Sequence, residues 1–160
     1  MPGDWHHHTR FAPSPELIDW IDHFWLESWN VKANAIETRE LLPHPCIQLA
    51  FAPDRARIYG VQLGRFVREY QGSGRVFGMR FRSGAFYPFL RQPVSSIANT
   101  SIAAVRVFPA AAGAGQQIFS CRDDASMVGA AARFLTAILP PVDPDMKLAH
   151  RMVEIGRAHV

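Results

Sequence analysis

The sequence has few of the residues that build a nucleic-acid surface or a disulfide framework. Only two of its 17 cationic residues are lysines, and the arginines are scattered rather than clustered. The formal charge of +3 therefore does not indicate a nucleic-acid patch. Cys46 and Cys121 are too few for a disulfide framework and lack the spacing of metal ligands, which favours a reducing compartment.

Long hydrophobic runs are also absent. The apolar stretch 105–114 is interrupted by Arg106, Pro109 and Gly113. No segment approaches the roughly 20 apolar residues that a membrane span needs. The amino terminus shows neither the charged region nor the apolar core of an export signal. We therefore expect a cytoplasmic protein that has no membrane partner.

What the chain does contain is enough apolar material for one core. Of its 160 residues, 48% are hydrophobic, which suffices for a single ordinary domain. Residues 1–13 are expected to form a flexible tail, and the histidines at 6–8 are interpreted as exposed, because three adjacent histidines cannot converge on one ion from a regular element. The Ser-Pro-Glu triplet at 14–16 predicts a short helix that passes into an aromatic strand near His23.

Short strands then recur at intervals of about ten residues, with turns that contain proline or glycine between them. The predicted strands are 37–42, 46–51, 57–61, 66–70 and 75–81. In the last of them Phe77, Met79 and Phe81 alternate with less apolar residues, so we expect it in the core of the sheet. Regularly spaced short strands imply an antiparallel barrel or sandwich.

After Gly84 the composition shifts toward alanine and the apolar residues take helical spacing. Helices are predicted over 93–97, 110–119, 124–139 and 144–155. The helix at 124–139 has the clearest apolar stripe, which packs either on the chain's own sheet or against a second copy in a dimer. The predicted fold class is α+β, with antiparallel strands followed by a helical segment.

No pattern in the sequence predicts catalysis. Cupin-type metal enzymes place a His-x-His pair on a strand, but the corresponding corner here is His44-Pro45-Cys46 and no second histidine follows among the strands. Cys46 could act as a nucleophile only with His44 as its base, and the alternative of an inert buried cysteine is favoured. Gly-Ser-Gly at 72–74 precedes a strand, so it predicts a turn and not a phosphate loop. We predict no catalytic residue, metal or cofactor.

A small-molecule site is predicted instead, because the chain has aromatic residues near its start and a few polar groups on the less apolar strand faces. Apolar walls with a few orienting polar groups are typical of such pockets. The candidate ligand-binding residues are Trp25, Trp29, Gln48 and Arg80. The alternative is that the tryptophans belong to the core and that Arg80 faces solvent.

Three segments carry a resemblance to a known family: ELLPHPCIQLAF at 40–51, IYGVQ at 58–62 and VFGMRFRSGAFYPFLRQPVSSIAN at 76–99. Together they resemble the amino-terminal, effector-sensing domain of AraC-family transcription regulators. The matching positions are Trp25, Pro43, Cys46, Leu49, Phe51, Gly60, Gly78, Phe81, Gly84 and Pro93. The resemblance covers roughly residues 15–155, and it departs from the family pattern at His44-Pro45 and at Ser83, where the turns differ.

The resemblance implies a cupin-like barrel over 14–140, followed by helices that mediate dimerisation and a linker helix at 141–160. It also implies a carboxy-terminal pair of helix-turn-helix units, and no segment here offers a recognition helix. We therefore expect a truncated, non-enzymatic sensory domain that binds a small-molecule effector, forms a homodimer and reaches DNA only through the missing domain. The alternatives are a stand-alone cupin-like binding protein or enzyme, and a defective fragment that forms mixed dimers with its parent.

Overall fold

The computed structural model describes residues 3–141 together with 144, 148, 151, 152, 155 and 156. The strands are β1 (Trp5–Phe11), β2 (Ile21–Asn30), β3 (Glu37–Leu41), β4 (Gln48–Ala52), β5 (Arg55–Tyr59), β6 (Phe66–Tyr70), β7 (Ser73–Phe81) and β8 (Ser101–Ala103). The α-helices are α1 (Tyr87–Leu90), α2 (Ala111–Ser120) and α3 (Asp124–Thr136), and 3₁₀ turns cover Pro15–Leu17, Val94–Ile97 and Ala104–Arg106. The predicted α+β class is confirmed.

The strands form two antiparallel sheets. Six of them pair in the order β1-β2-β7-β4-β5-β8, and β3 and β6 form a separate two-stranded ribbon. The described strands do not close into a barrel, because β1 and β8 lie at opposite edges of the main sheet and β6 pairs only with β3. The antiparallel arrangement is thus as predicted, whereas the predicted barrel closure is not observed.

Strand β7 lies inside the main sheet, as its alternating pattern predicts. It pairs with β2 on one side and with β4 on the other, so that Phe24, Met79 and Leu49 form one row across three strands. All three side chains are fully buried. Helices α2 and α3 cover this apolar face, where the ring of Phe134 meets that of Phe51 edge-on with 6.0 Å between the centroids.

The apolar stripe of α3 belongs to the chain's own core. Met127, Ala131 and Leu135 are buried in the same cluster as the sheet residues. Of the two roles predicted for this stripe, packing on its own sheet is therefore observed, and the stripe does not offer an exposed surface to a second copy.

The predicted flexible tail is wrong for residues 5–11. These residues form β1, which pairs with β2 in a continuous register from Trp5 opposite Asn30 to Phe11 opposite Phe24. Without β1, the backbone groups along one side of β2 would have no partner in the sheet. The segment thus forms a strand through its backbone hydrogen bonds with β2, although its own residues are mostly polar.

Two further predicted segments differ in part from the structure. The predicted connection at 98–106 contains the short strand β8, which pairs with β5. Of the predicted helix at 144–155 and the linker at 141–160, residues 144, 148, 151, 152, 155 and 156 are helical and Pro141 is not; the remaining positions lie outside the described residues. No helix in the described part of the chain is long and apolar enough to span a membrane.

Candidate functional site

The face of the main sheet opposite the helices is polar. Residues that pair directly across strands project to the same side. The register therefore assigns one common face to Trp25 opposite Gly78, Gln48 opposite Arg80, and Trp29 opposite Gly74. We call this surface the polar face; its described side chains are His6, His8, Arg10, His23, Trp25, Glu27, Trp29, Gln48, Ala50, Ala52, Arg55, Arg57, Tyr59, Val76, Arg80, Ser101 and Ala103. All four predicted ligand-binding residues lie on it.

The indole of Trp25 lies directly on the backbone of Gly78. A Cβ atom added to Gly78 would come within 2.0 Å of Cε2 of the indole, which is far below any allowed contact. The imidazole of His8 lies nearly parallel to the indole, with 6.0 Å between the ring centroids. Trp25 is consequently 6% exposed. Gly78 is the residue that permits this position, since any other side chain would occupy the same space.

Three buried nitrogen atoms of the polar face have no hydrogen-bond partner among the described residues. They are Nδ1 of His6 and the two donors Nε1 of Trp25 and Nε of Arg80. Arg80 lies two residues from Gly78 along β7 and directly opposite Gln48, so both donors and the Gln48 amide are near the same part of the face. A buried donor without a partner loses the free energy of its hydration. An acceptor at this place, from water or from a bound molecule, would restore it.

Two titratable side chains, His23 and Asp22, lie beside Arg80. Nδ1 of His23 lies 2.7 Å from Oδ2 of Asp22. Burial lowers the pKa of His23 below its ordinary value, although the contact with Asp22 opposes this. Burial also tends to raise the pKa of Asp22, but the hydrogen bond with His23 and the positive charges of Arg80 and Arg82 outweigh it, so that this pKa is lowered. At neutral pH the cluster therefore contains a neutral imidazole, a carboxylate and a guanidinium.

Trp29 is apart from the other three predicted residues. Its ring packs edge-on against Tyr70 with 5.1 Å between the centroids, and its Nε1 donates to the carbonyl oxygen of Gln71 at 3.2 Å. Both contacts fasten the β3–β6 ribbon to the main sheet. Since its donor is satisfied, Trp29 has a structural role here, and its role in ligand binding stays a prediction.

Sequence reasoning missed a buried polar cluster around Glu27. This carboxylate is 4% exposed and lies 2.9 Å from Nε2 of His6 and 3.3 Å from Nη1 of Arg68. It also hydrogen-bonds with the hydroxyl of Tyr70, and burial together with this bond raises the pKa of Tyr70 well above its ordinary value. The cluster joins β1, β2 and β6. Its only signal in the sequence is an acidic residue between two tryptophans at strand spacing.

Replacing Glu27 with alanine is expected to destabilise the protein by about 2 kcal/mol, because Arg68 and the Tyr70 hydroxyl then lose a buried acceptor. The measurement is the free energy of unfolding in urea. The matched control is Glu40→Ala, since Glu40 pairs with Arg65 where both side chains are more than half exposed. That variant should change stability by less than about 0.5 kcal/mol. Equal losses in both variants would show that the Glu27 cluster does not hold the ribbon.

The remaining candidates for reactivity have other environments. Sγ of Cys46 lies 3.5 Å from the hydroxyl of Ser83, which in turn donates to the carbonyl of Pro45 at 3.1 Å. Among the described residues, no group of three or more His, Cys, Asp or Glu side chains is arranged to hold a metal ion.

A separate cleft of about 740 Å³ opens on the helical side of the sheet. Sequence reasoning did not predict it, because its walls come from segments far apart in the chain. They are the end of α1, the 3₁₀ turn at Val94–Ile97, the segment from β8 to the start of α2, and the end of α3. The candidate ligand-binding residues on the polar face do not line it.

The fold and the polar face define a class of α+β protein. Its open antiparallel sheet is covered by helices on one face, and its other face contains buried hydrogen-bond donors without a partner among the described residues. The chain belongs to the family described as domain of unknown function (DUF6597), whose model matches residues 9–103. The match runs from within β1 to the end of β8 and leaves α2 and α3 outside. Searches of the curated proteins and of the solved structures find no match.

Proposed function

We propose that this chain is the ligand-sensing and dimerisation part of an AraC-type transcription regulator. In this proposal the open sheet and the ribbon are a variant of the cupin-like barrel, and a small-molecule effector binds at the polar face near Trp25, Gln48 and Arg80. The chain catalyses no reaction, and DNA is bound by a further domain. The resemblance of the three strand and turn segments to that family supports the regulatory part of the proposal.

The observation that carries the binding part is the pair of unpartnered donors, Nε1 of Trp25 and Nε of Arg80. Small-molecule sites combine apolar walls with a few polar groups that fix orientation. Here the indole supplies the wall, and the two donors and the Gln48 amide supply the orienting groups. A ligand with acceptor atoms would satisfy both donors at once.

Strand β7 offers a route from the ligand to the helices. Gly78 and Arg80 face the polar side, while Phe77 and Met79 point into the core that α2 and α3 cover. A ligand shifts such an equilibrium only if it binds one arrangement better than the other. If a molecule on the polar face displaced β7, Phe77 and Met79 would move with the strand and change its packing against α2 and α3.

The test is a thermal-shift screen of small molecules that carry hydrogen-bond acceptors, followed by calorimetric titration of each hit. Trp25→Phe keeps a ring but removes the donor, and Arg80→Gln removes the charge. Each is expected to weaken binding at least tenfold, which is about 1.4 kcal/mol. The control variants are Trp5→Phe and Arg122→Gln, which make the same changes at exposed positions away from the polar face.

Two outcomes would contradict the binding site: no compound raises the melting temperature, or hits bind the two site variants as tightly as they bind the controls. The dimer is tested independently by light scattering. A strict monomer at high protein concentration would contradict the dimerisation part of the proposal. The ligand site would still be tested by the screen.

A further inference from the structure

The cleft on the helical side has an aromatic interior. Phe108 contacts both Phe89 and Phe134, with ring centroids 5.4 Å and 5.9 Å apart and the rings at steep angles. Leu90 and Ile97 complete the interior, and both are nearly buried. A volume of about 740 Å³ is of the size that holds a small organic molecule. The interior would bind the apolar part of such a molecule.

The charge at this cleft has one sign. Arg91 and Arg106 line it, and none of its lining residues is acidic. Within the described part of the chain, neither guanidinium makes a hydrogen bond or ion pair, whereas Arg68 and Arg65 each have a carboxylate partner. Two cations without a counter-charge beside an apolar cavity favour an anionic group at the same place.

Arg91 lies where α1 ends. This residue ends α1 in the left-handed conformation, with φ of 57°, and its N–H donates to the carbonyl of Tyr87 at 2.8 Å. Glycine or asparagine would adopt this conformation at lower cost. Replacement of Arg91 by asparagine therefore removes the guanidinium and keeps the backbone conformation.

We propose that the cleft is a second small-molecule site, which takes an amphipathic carboxylic acid. The apolar chain or ring lies among Phe89, Phe108 and Phe134, and the carboxylate pairs with Arg91 and Arg106. This site lies across the main sheet from the polar face and shares none of the residues proposed there. Its ligand contacts both the loop after α1 and the end of α3, so occupancy holds these two segments together.

The test uses the full chain and decanoate as the probe, below its micelle concentration, with decylamine as the cationic analogue of the same length. Calorimetric titration and thermal shift report binding. Decanoate is expected to bind and to raise the melting temperature, and decylamine is not. Arg106→Gln and Arg91→Asn should each weaken decanoate binding about tenfold, because each removes one cation from the carboxylate. Asparagine is chosen at position 91 because it tolerates the left-handed conformation.

The matched control is Arg122→Gln, which removes the same charge at an exposed position that does not line the cleft. It should bind decanoate within twofold of the unaltered chain. The proposal is overturned if decanoate does not bind at millimolar concentration, as it would not if the chain's own apolar helical residues 148, 152 and 155 occupy the cleft. It is equally overturned if decylamine binds as well, or if Arg122→Gln weakens binding as much as the cleft variants do.

Discussion

A Gly78→Ala variant is expected to lose about 2 kcal/mol of unfolding free energy, in the range found for overpacked interiors. The added methyl group would lie 2.0 Å from Cε2 of Trp25, so the indole has to leave its place on β7. Trp25 is surrounded by β7 and His8 and cannot move without disturbing them. The displaced indole also takes its Nε1 donor out of the proposed ligand site. Urea denaturation measures the first effect, and binding of any screened ligand measures the second.

The matched control for Gly78→Ala is Gly113→Ala. Gly113 is exposed within α2, and a Cβ atom there meets nothing within 4 Å. Because alanine has a higher helix propensity than glycine, this variant should gain roughly 0.5–1 kcal/mol of unfolding free energy. The specific contact is isolated by adding Trp25→Leu to Gly78→Ala, which should cost less than the sum of the two single changes. Strict additivity would show that the indole does not rest on Gly78.

A Phe77→Ala variant is expected to lose about 3–5 kcal/mol, which is the usual cost of removing a buried aromatic ring. Phe77 is fully buried and lies opposite Leu26 on β2 and Phe51 on β4. Its ring is 6.1 Å from that of Phe24 between centroids. Such a loss is a large share of the 5–15 kcal/mol that typically stabilises a domain. The measurement is again urea denaturation, in conditions where the variant is still folded without denaturant.

The control for Phe77→Ala is Phe66→Ala on the ribbon. Phe66 is 36% exposed, so its removal leaves no closed cavity and should cost less than about 1 kcal/mol. If the two phenylalanine variants lost the same stability, β7 would not be the centre of the core. The difference between them therefore tests the assignment of the apolar face independently of any ligand.

The fold was predictable where the pattern of a segment decides its structure. Strand β7 alternates strongly enough that its central place in the sheet follows from its own residues. The apolar stripe of α3 was likewise predicted. The surface against which it packs was not, because an apolar stripe indicates that one side of a helix is buried and does not indicate its partner. Strand β1 was not predicted, because its histidines and arginine are typical of a polar tail. It forms a strand through backbone hydrogen bonds with β2, which the sequence of β1 alone does not indicate.

The candidate sites divide in the same way. Gln48 and Arg80 could be proposed from strand alternation, which assigns each to the less apolar side of its own strand, and Trp25 was proposed as an aromatic residue near the start of the chain. Their neighbourhood depends on the register between β2, β7 and β4, which no single strand encodes. The cleft was not predictable at all, because Arg91, Phe108 and Phe134 come from three separate segments. Glu27 could have been noticed as an acid within an aromatic strand, but its partners on β1 and β6 could not.

The sequence by itself determined the α+β class, most of the strands and the helices α2 and α3, and it proposed the residues of one candidate site. Local alternation and helical periodicity record which side of each element is buried, and neighbouring residues suffice to show them. Only the tertiary structure decided the open pairing order of the strands, the position of Trp25 on Gly78, the buried Glu27 cluster and the arginine-lined cleft. Each of these depends on contacts between residues far apart in the chain, and such contacts arise when the elements pack together.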